Sequence, residues 1–474
     1  MNNITHFRTP GTYKPSIWNY DFIQSLKIDH NTLQDKAYKD GWKFLEEKVK
    51  HMIDYDDDEI NTLTMLEFID DIQQLGLGYH FEEDITRALD KILNNIDDQR
   101  IDQSLHFTAL SFRLLRQHGF EVSQNVFSRF TDGNGSFKAW LCKDVKGMLS
   151  LYEASYFAFE GESLLDEGLV FSTICLKNLS GANVTKGLAE QVSHALELPL
   201  HHRMQRLEAR WYIEAYSKRP DANQVLLEIA KRDFNRVQCT LQMDLQEVSR
   251  WWADMGLAKK LSFTRDRLME CFFWSVGIVF EPQHSHARKG LAKVAALVTT
   301  IDDVYDVYGT LDELELFTSA VERLEIKKTV DIQSFTFEYA FNSELLMAFH
   351  CVLLLLRWDI KAVENLPDYM KLCFLALYNT VNKMVYDTLK KQGENAEVER
   401  GETANSISCM MRGSLHISEE SAHGASATPF TKQFVKAARN LARISQCIYQ
   451  YGDGHGAPDT RAKNRILSVI IDPI

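Results

Sequence analysis

The sequence predicts an all-α protein that consists of two helical domains. Apolar residues recur every three or four positions through most of the 474 residues, which is the period of an α-helix with one buried face. Proline is scarce, with 9 residues, and few segments alternate apolar and polar residues in the way that half-buried strands do. A chain of this length can form more than one domain and bury a sizeable core.

The predicted domain boundary is the segment SKRPDANQ at residues 217–224. Pro220 interrupts the helical pattern there, and Asp221 is suited to cap the helix that follows. We therefore predict an N-terminal helical domain over residues 1–219 and a C-terminal domain over residues 220–474. The residues that suggest chemistry are concentrated in the second domain.

Charge and composition disfavour several classes of function. The formal net charge is -13, whereas a nucleic-acid partner would require a basic surface. The 8 cysteines lie far apart without a CxxC pair, so we expect neither a zinc site nor a disulfide framework, and a reducing compartment fits. The most apolar run, LLMAFHCVLLLL at residues 345–356, is too short to span a bilayer. We therefore expect a soluble protein with no membrane span.

The segment VAALVTTIDDVYDVYG carries the most informative pattern. Asp302 and Asp306 are four residues apart, so a helix places them on one face with Asp303 beside them. The apolar run before them indicates a buried helix, which Gly309 is expected to end. Three carboxylates in the last turns of a helix repel one another and oppose its dipole, so a cation should compensate them. Mg²⁺, or alternatively Mn²⁺, suits such oxygens; the other interpretation is an exposed acidic helix end.

Asp312, Glu313 and Glu315 follow in the same stretch and receive a structural interpretation. Thr310 and Glu313 have the spacing of a capping box that opens the next helix. We do not assign these three acidic side chains to the metal site.

Arg265 and Arg267 flank Asp266 just before an apolar helix in FTRDRLMECFFW. Guanidinium groups suit phosphate oxygens and neutralise the charge that grows on a diphosphate leaving group. An RxR pair by itself is usually a solvated helix end. In combination with the DDxxD pattern that follows, it predicts a pair of diphosphate-binding side chains.

The helix after the arginine pair is rich in aromatic residues. Trp274, Phe272, Phe273 and the later Tyr305 could line an apolar pocket, in which a carbocation would be stabilised over aromatic faces and shielded from water. Aromatic residues at helical spacing are more often part of the ordinary hydrophobic core. We therefore favour a pocket role for Trp274 alone.

The chain resembles the class I plant terpene synthases. The resemblance rests on DDVYD, the upstream RDR, Trp274 and longer segments that include YKPSIWNYDF, LGLGYHFE, ALSFRLLRQHGFEVS, HALELPLHHRMQRLEARWYIEAY and LPDYMKLCFLALYNT. It covers nearly all of the N-terminal half, continues to about Asn395, and resumes at RGETANSISC and from PFTKQF to the end. The pattern is most similar to the angiosperm branch that contains monoterpene and isoprene synthases.

This resemblance implies a fold, an activity and a set of site residues. The N-terminal domain is expected to lack chemistry of its own, and the C-terminal helical bundle is expected to ionise geranyl or dimethylallyl diphosphate to a monoterpene or isoprene. The implied roles are metal binding for Asp302, Asp303 and Asp306, substrate binding for Arg265, Arg267, Asp302 and Asp306, and catalysis for Arg265, Arg267 and Trp274. The implied partner is a small prenyl diphosphate, and the implied oligomeric state is a monomer.

The sequence departs from the family pattern in its C-terminal half. The family's second metal motif, (N/D)Dxx(S/T)xxxE, is absent, because KKQGEN passes directly to AEVERGETANSIS. Residues 324–357 have no counterpart in the pattern and are predicted to be a foreign insert. Helices are predicted to be missing near residues 395–396, and the stretch at 421–428 is shortened.

The N-terminus departs from the pattern as well. The tandem arginine that the family associates with cyclic products is Arg8-Thr9 here, so cyclisation is not implied. The first residues are neither a secretory signal nor a Ser/Arg-rich transit peptide, and they begin about where a mature plastid enzyme would. The family suggests the plastid stroma, and the chain as written suggests the cytoplasm.

Two alternatives compete with the enzyme interpretation. Without the second metal motif, the chain could be a disabled relic or a mis-spliced form that at most binds magnesium-diphosphate, because catalysis requires the complete set of positioned charges. A prenyl chain-elongating synthase would require a second DDxxD cluster, and the sequence contains none.

Overall fold

A computed structural model of the chain describes residues 13, 15–28, 36–54, 62–95, 104–179, 184–322, 360–395 and 432–474. These residues form helices and no β-strand, apart from an isolated antiparallel bridge between Thr131 and Phe137. The all-α prediction is therefore confirmed. Within the same residues, no helix is long and apolar enough to cross a membrane.

The structure divides into two compact units. One unit consists of Ile28–Thr240 with Leu467–Ile474, and the other consists of the residues up to Lys27 with Leu241–Ile466. The division falls inside a single helix, Gln224–Met255. The sequence boundary between residues 219 and 220 remains a prediction.

The first unit consists of amphipathic helices around two apolar clusters. Some of its helices begin with a side-chain cap; for example, Ser104 Oγ accepts a hydrogen bond of 3.1 Å from Phe107 N. Its α-helices are Lys36–Asp54, Thr62–Gln74, Glu82–Asn95, Leu105–Gln117, Val145–Ser155, Ser163–Lys177, Lys186–Glu197 and Gln205–Ser217. Its shorter elements are the 3₁₀ helices Gln124–Phe130, Ala139–Lys143 and Leu200–His202 and the π-helix Leu467–Ile471.

A disulfide in this unit corrects one expectation from the sequence. Cys142 and Cys175 are bonded, with their Cα atoms 5.2 Å apart. The sequence suggested no disulfide because 33 residues separate the two cysteines. The pairing follows from the packing of helix Ser163–Lys177 against the 3₁₀ helix that contains Cys142, which no local pattern encodes.

The second unit contains the residues with candidate chemistry. Two of its helices are named here: the arginine helix, Leu268–Ile278, which follows the RDR segment, and the aspartate helix, Ser285–Asp303. The remaining helical elements are Tyr20–Gln24, Leu257–Lys260, Pro282–His284, Val304–Tyr308, Leu311–Glu322, Ile360–Asn365, Asp368–Asn395, Lys432–Tyr449 and Thr460–Ile466.

The arginine helix is buried on all sides. All of its 11 residues are buried, and it packs against the aspartate helix and helix Lys432–Tyr449. Its hydrophobicity all round is typical of a central helix. At Gly277 the two helix surfaces approach so closely that an added Cβ would lie 2.6 Å from Ile444 Cβ.

A buried ion pair fixes the start of the aspartate helix. Arg288 is fully buried, and its guanidinium donates to Asp244 Oδ2 at 2.5 and 3.0 Å. Ser285 Oγ donates to the other oxygen of Asp244 at 2.6 Å. Because a charge at this depth is stable only when its partner is held in place, these bonds define where the helix begins and, through its length, where its last carboxylates lie.

The predicted insert at residues 324–357 lies outside the described residues, which end before it at helix Leu311–Glu322 and resume at residue 360. The shortened stretch at 421–428 and the residue after Asn395 also lie outside them. These three departures from the family pattern remain predictions.

Replacing Gly277 with alanine should destabilise the second unit by about 1–3 kcal/mol, because the new methyl group would overlap Ile444 at a buried contact. Urea denaturation measures the change. Gly187→Ala is the matched control, since Gly187 lies in helix Lys186–Glu197 with open space around its Cβ position. This control should be neutral or stabilising by up to about 1 kcal/mol, and equal effects of the two variants would contradict the packing.

Candidate active site

The aspartate helix ends in the three predicted metal ligands. Asp302 and Asp303 occupy its last turn, and Asp306 lies in the π-helical turn Val304–Tyr308 that continues it. Asp303 is fully buried, Asp302 is partly buried and Asp306 is exposed. Gly309 follows the turn, as the sequence predicted, but with an extended backbone, and its missing Cβ makes room for Leu314.

Arg265 joins the RDR segment to the aspartates. Its Nη2 donates to Asp302 Oδ2 at 2.9 Å, and its backbone N donates to Asp303 Oδ2 at 2.6 Å. Its Nε lies 2.8 Å from Asp303 Oδ1, which is an ion-pair distance, although the angle is not that of a hydrogen bond. The structure therefore brings Arg265 next to Asp302 and Asp303.

The burial of this cluster shifts the pKa of each partner. Burial raises the pKa of Asp302, the charge of Asp306 raises it further, and Arg265 opposes both. Burial also raises the pKa of Asp303, whereas the hydrogen bond from the backbone of Arg265 works to lower it. Burial works to lower the pKa of Arg265, but the charges of Asp303, Tyr13 and Asp302 together outweigh burial, so the net shift of this pKa is upward.

The donor atoms at the helix end suit a hard cation. Asp302, Asp303 and Asp306 offer carboxylate oxygens, which are the ligands that Mg²⁺ prefers, and Asp303 Oδ1 is buried without a hydrogen-bond partner. In the described part of the chain, no three His, Cys, Asp or Glu side chains converge closely enough to hold a metal together. The carboxylates are thus chemically suited to Mg²⁺. In this structure the guanidinium of Arg265 neutralises those of Asp302 and Asp303.

Arg267 is placed differently from Arg265. Its side chain is buried, and its guanidinium donates to the backbone carbonyl of Asp266 at 3.1 Å and to that of Gly456 at 3.0 Å. The two predicted diphosphate ligands therefore have different neighbours: Arg265 contacts the aspartates, and Arg267 contacts a loop near the C-terminus.

That loop, Tyr451–Asp459, is here called the C-terminal loop. It is polar and rich in glycine. Asp453 Oδ1 shapes it by accepting hydrogen bonds from His455 N at 3.1 Å and Gly456 N at 2.7 Å. A Cβ at Gly456 would lie 2.9 Å from Arg265 Nη1, so glycine permits the loop to approach the arginine.

Trp274 and His455 face each other between the arginine helix and the C-terminal loop. Their ring centroids are 6.5 Å apart in an edge-to-face arrangement, and Tyr449 packs on Trp274 at 6.0 Å. His455 Nε2 lies 3.1 Å from Thr299 Oγ1 on the aspartate helix. Burial lowers the pKa of His455 to about 4, and Arg265 lowers it as well, so the imidazole is neutral at pH 7.

The other predicted aromatic residues have separate surroundings. Phe272 and Phe273 are buried, in keeping with the core alternative, and Phe273 also lines a cavity. Tyr305 is exposed, its hydroxyl lies 3.0 Å from Thr318 Oγ1, and its ring packs edge-on against Phe317. Tyr305 and Trp274 therefore have different surroundings, and the sequence favoured a pocket role for Trp274 alone.

The capping role predicted for Glu313 has structural support. Glu313 Oε2 accepts a hydrogen bond from Thr310 N at 3.1 Å and another from Tyr369 Oη at 2.9 Å. Asp312 and Glu315 are exposed. These contacts explain the acidic residues after Gly309 without a metal.

A cavity of about 60 Å³ lies beside the aspartate cluster and not at it. Its lining residues come from the arginine helix, helix Lys432–Tyr449, the C-terminal loop and helix Thr460–Ile466, and include Glu270, Phe273, Cys447, Tyr451, Asp453 and Arg461. Glu270 is almost fully buried, and neither of its carboxylate oxygens has a hydrogen-bond partner among the described residues. Burial raises the pKa of Glu270 to about 7, against the charge of Arg267.

Comparison with known families matches both halves of the chain. The terpene synthase N-terminal domain matches residues 17–196, and the terpene synthase family metal binding domain matches residues 253–398. The chain belongs to the terpene synthase family. The resemblance in the sequence is therefore confirmed, and the carbon–oxygen lyase class follows from it.

Individual relatives of this terpene synthase cover almost all of the chain. It is 43% identical to a chloroplastic tricyclene synthase of Medicago truncatula, covering 98% of this chain and 92% of the relative, and 43% identical to a chloroplastic isoprene synthase of Populus canescens, covering 99% and 91%. The tricyclene synthase alignment runs over 579 positions against 474 residues here. More than a hundred positions of that alignment thus have no counterpart in this chain.

Solved structures show the same fold. The structure of isoprene synthase from Populus x canescens with three Mg²⁺ ions and dimethylallyl-S-thiolodiphosphate has a TM-score of 0.74 at 41% identity, covering 97% of this chain and 99% of that one. A limonene synthase with 2-fluorolinalyl diphosphate has a TM-score of 0.80 at 30% identity, covering 99% and 100%.

The raised pKa of Glu270 predicts a pH-dependent stability. Its pKa is higher in the folded than in the unfolded chain, so the stability it contributes is present below about pH 4.5 and is lost as the pH rises through about 7. Glu270→Gln should therefore match the parent protein at low pH and exceed it at pH 8 by on the order of 2 kcal/mol. Urea denaturation at pH 5 and pH 8 measures the difference. Glu315→Gln, at an exposed position, is the control. If the difference in unfolding free energy between Glu270→Gln and the parent protein were the same at both pH values, the raised pKa of Glu270 would be contradicted.

Proposed function

We propose that the chain is a magnesium-dependent carbon–oxygen lyase that ionises an allylic prenyl diphosphate, either geranyl or dimethylallyl diphosphate. The observation that carries the proposal is the contact of Arg265 with Asp302 and Asp303, which brings a guanidinium suited to phosphate and carboxylates suited to a metal together. The family and the ligands in the isoprene and limonene synthase structures support the same chemistry.

Each site residue has a defined part in this proposal. Asp302, Asp303 and Asp306 would hold Mg²⁺, which supplies positive charge for the diphosphate oxygens when it is bound. Arg265 and Arg267 would hold the diphosphate and stabilise the negative charge that grows as the carbon–oxygen bond breaks. The resulting allylic cation would then lose a proton, cyclise or capture water.

Trp274 would act on the hydrocarbon part of the substrate. Its indole is 1% exposed and lies against the rings of Tyr449 and His455. Aromatic faces stabilise a nearby cation, and a dry wall protects it from water. The neutral state of His455 suits this surrounding because it adds no competing positive charge.

A second candidate is a disabled relic that binds magnesium-diphosphate weakly and turns over slowly or not at all. The observation that favours it is the missing second metal motif, together with the many positions that relatives have and this chain lacks. One aspartate cluster supplies only part of the metal set. We therefore expect low turnover from this polypeptide even if the lyase proposal is right.

Incubation with each substrate distinguishes the two candidates. The purified chain is incubated with Mg²⁺ and either geranyl or dimethylallyl diphosphate, and the headspace is measured by gas chromatography with mass detection. A terpene or isoprene peak that disappears with chelator supports the lyase, and the substrate that gives it identifies the chain length. No peak, with activity in a version repaired at its missing helices, supports the relic. Ordinary turnover by the unrepaired chain would contradict the expected defect.

Asp302→Ala should abolish magnesium-dependent binding of inorganic diphosphate, because it removes a carboxylate that the proposed metal requires. Isothermal titration calorimetry with and without Mg²⁺ measures the binding. Asp312→Ala is the matched control, since Asp312 is an exposed aspartate on the next helix. Unchanged binding by Asp302→Ala would reject the site.

The remaining proposals concern location and organisation. The chloroplastic relatives support a plastid location. We also propose a monomer, the domain boundary between residues 219 and 220, and a foreign origin for residues 324–357. These proposals rest on the family pattern and the sequence.

A further inference from the structure

The side chain of Arg265 occupies the carboxylates that the proposed function assigns to magnesium. Its guanidinium lies 2.9 Å from Asp302 Oδ2 and 2.8 Å from Asp303 Oδ1. Arg265 is 10% exposed, and the Asp303 side chain is fully buried. These distances make Arg265 the counter-ion of both aspartates in this structure.

We propose that Arg265 is an internal competitor of the metal, so that loading of Mg²⁺ on Asp302 and Asp303 and release of the Arg265 guanidinium toward the diphosphate are one coupled step. The inference rests on the proposed function only in taking these aspartates as metal ligands. It adds an order of events: the arginine becomes available for the substrate when the metal has displaced it.

Electrostatic repulsion prevents the Arg265 guanidinium and the metal ion from sharing the carboxylates of Asp302 and Asp303. A metal that binds the same oxygens would stand within a few ångströms of the guanidinium, and like charges at that distance repel strongly where burial weakens solvent screening. Without any cation, by contrast, Asp302 and Asp303 would be two adjacent, partly desolvated carboxylates with nothing to neutralise them. Arg265 therefore stabilises the metal-free site and raises the cost of metal entry.

The surroundings of Arg265 hold its backbone next to the aspartates. Its backbone N remains bonded to Asp303 Oδ2 at 2.6 Å, so the residue stays next to the site when its guanidinium moves. The guanidinium lies 5.1 Å from the Tyr13 ring on one side. On another side it packs closely against Gly456, where a Cβ would lie 2.9 Å from Nη1.

Tyr13 takes part in the same cluster. Tyr13 and the Asp303 carboxylate act on each other electrostatically, and the Tyr13 ring lies against the guanidinium of Arg265. After Arg265 is displaced, the Tyr13 hydroxyl would still support Asp303. Tyr13 is thus placed as a positioning residue for whichever cation the aspartates carry.

Binding of Mn²⁺ without substrate tests the proposal directly. Electron paramagnetic resonance measures free Mn²⁺ during titration of the full chain, and Mg²⁺ competition confirms that both ions share the site. Removing the internal cation with Arg265→Gln should tighten Mn²⁺ binding by about threefold or more, a factor that even a solvent-exposed ion pair can contribute. Arg265→Lys keeps the charge and should stay nearer to the parent protein. Arg461→Gln removes an equal charge at an exposed position and should leave the affinity unchanged.

A second titration, with inorganic diphosphate and Mn²⁺ together, separates this role from a structural one. Arg265→Gln should weaken diphosphate binding because the released guanidinium is missing, although it strengthens Mn²⁺ binding alone. A variant that was merely less well folded would lose both affinities. Thermal unfolding with and without Mn²⁺ provides the check, since the Mn²⁺-induced rise in Tm should be larger for Arg265→Gln than for the parent.

Asp302→Asn distinguishes failure of the inference from failure of the proposed site. If Asp302→Asn abolishes Mn²⁺ binding and Arg265→Gln binds Mn²⁺ no more tightly than the parent, the competition is overturned and the metal site stands. If Asp302→Asn leaves Mn²⁺ binding unchanged, the proposed metal site fails, and the competition fails with it.

Discussion

The contact between Arg265 and the buried end of the aspartate helix is the interaction on which the rest of the site depends. Asp302 and Asp303 are carboxylates that the fold removes from water at the unfavourable end of a helix dipole. Such a pair requires a cation, and in this structure the guanidinium of Arg265 supplies it. The same charge requirement makes the aspartates suitable for a metal and makes the arginine suitable for a diphosphate, so one electrostatic constraint accounts for both halves of the site.

Helix packing holds this charged cluster in place. The arginine helix is buried along its whole length, and Gly277 lets it approach helix Lys432–Tyr449 closely. The bonds of Arg288 to Asp244 fix the start of the aspartate helix. The RDR segment and the three aspartates therefore lie on elements that the core positions, which is the arrangement that catalysis by fixed charges requires. The C-terminal loop completes the arrangement through its bonds to Arg267 and to the aspartate helix.

Membership of the terpene synthase family explains why these groups occur together, but the chain differs from its relatives in the groups that should complete the metal set. The second metal motif is absent from the sequence, and relatives carry more than a hundred positions that this chain lacks. The surviving half of the site has an internal cation that can replace the metal.

The sequence by itself determined the helical class and the family, because helical periodicity and short motifs are local patterns. It also singled out Arg265, Trp274 and the three aspartates as candidate site residues. Tertiary structure alone decided which charges meet. It paired Arg265 with Asp302 and Asp303, turned Arg267 to the carbonyl of Gly456, brought His455 against Trp274 and joined Cys142 to Cys175. These contacts connect residues that are far apart in the chain, and their formation depends on how buried helices pack, which no local spacing encodes.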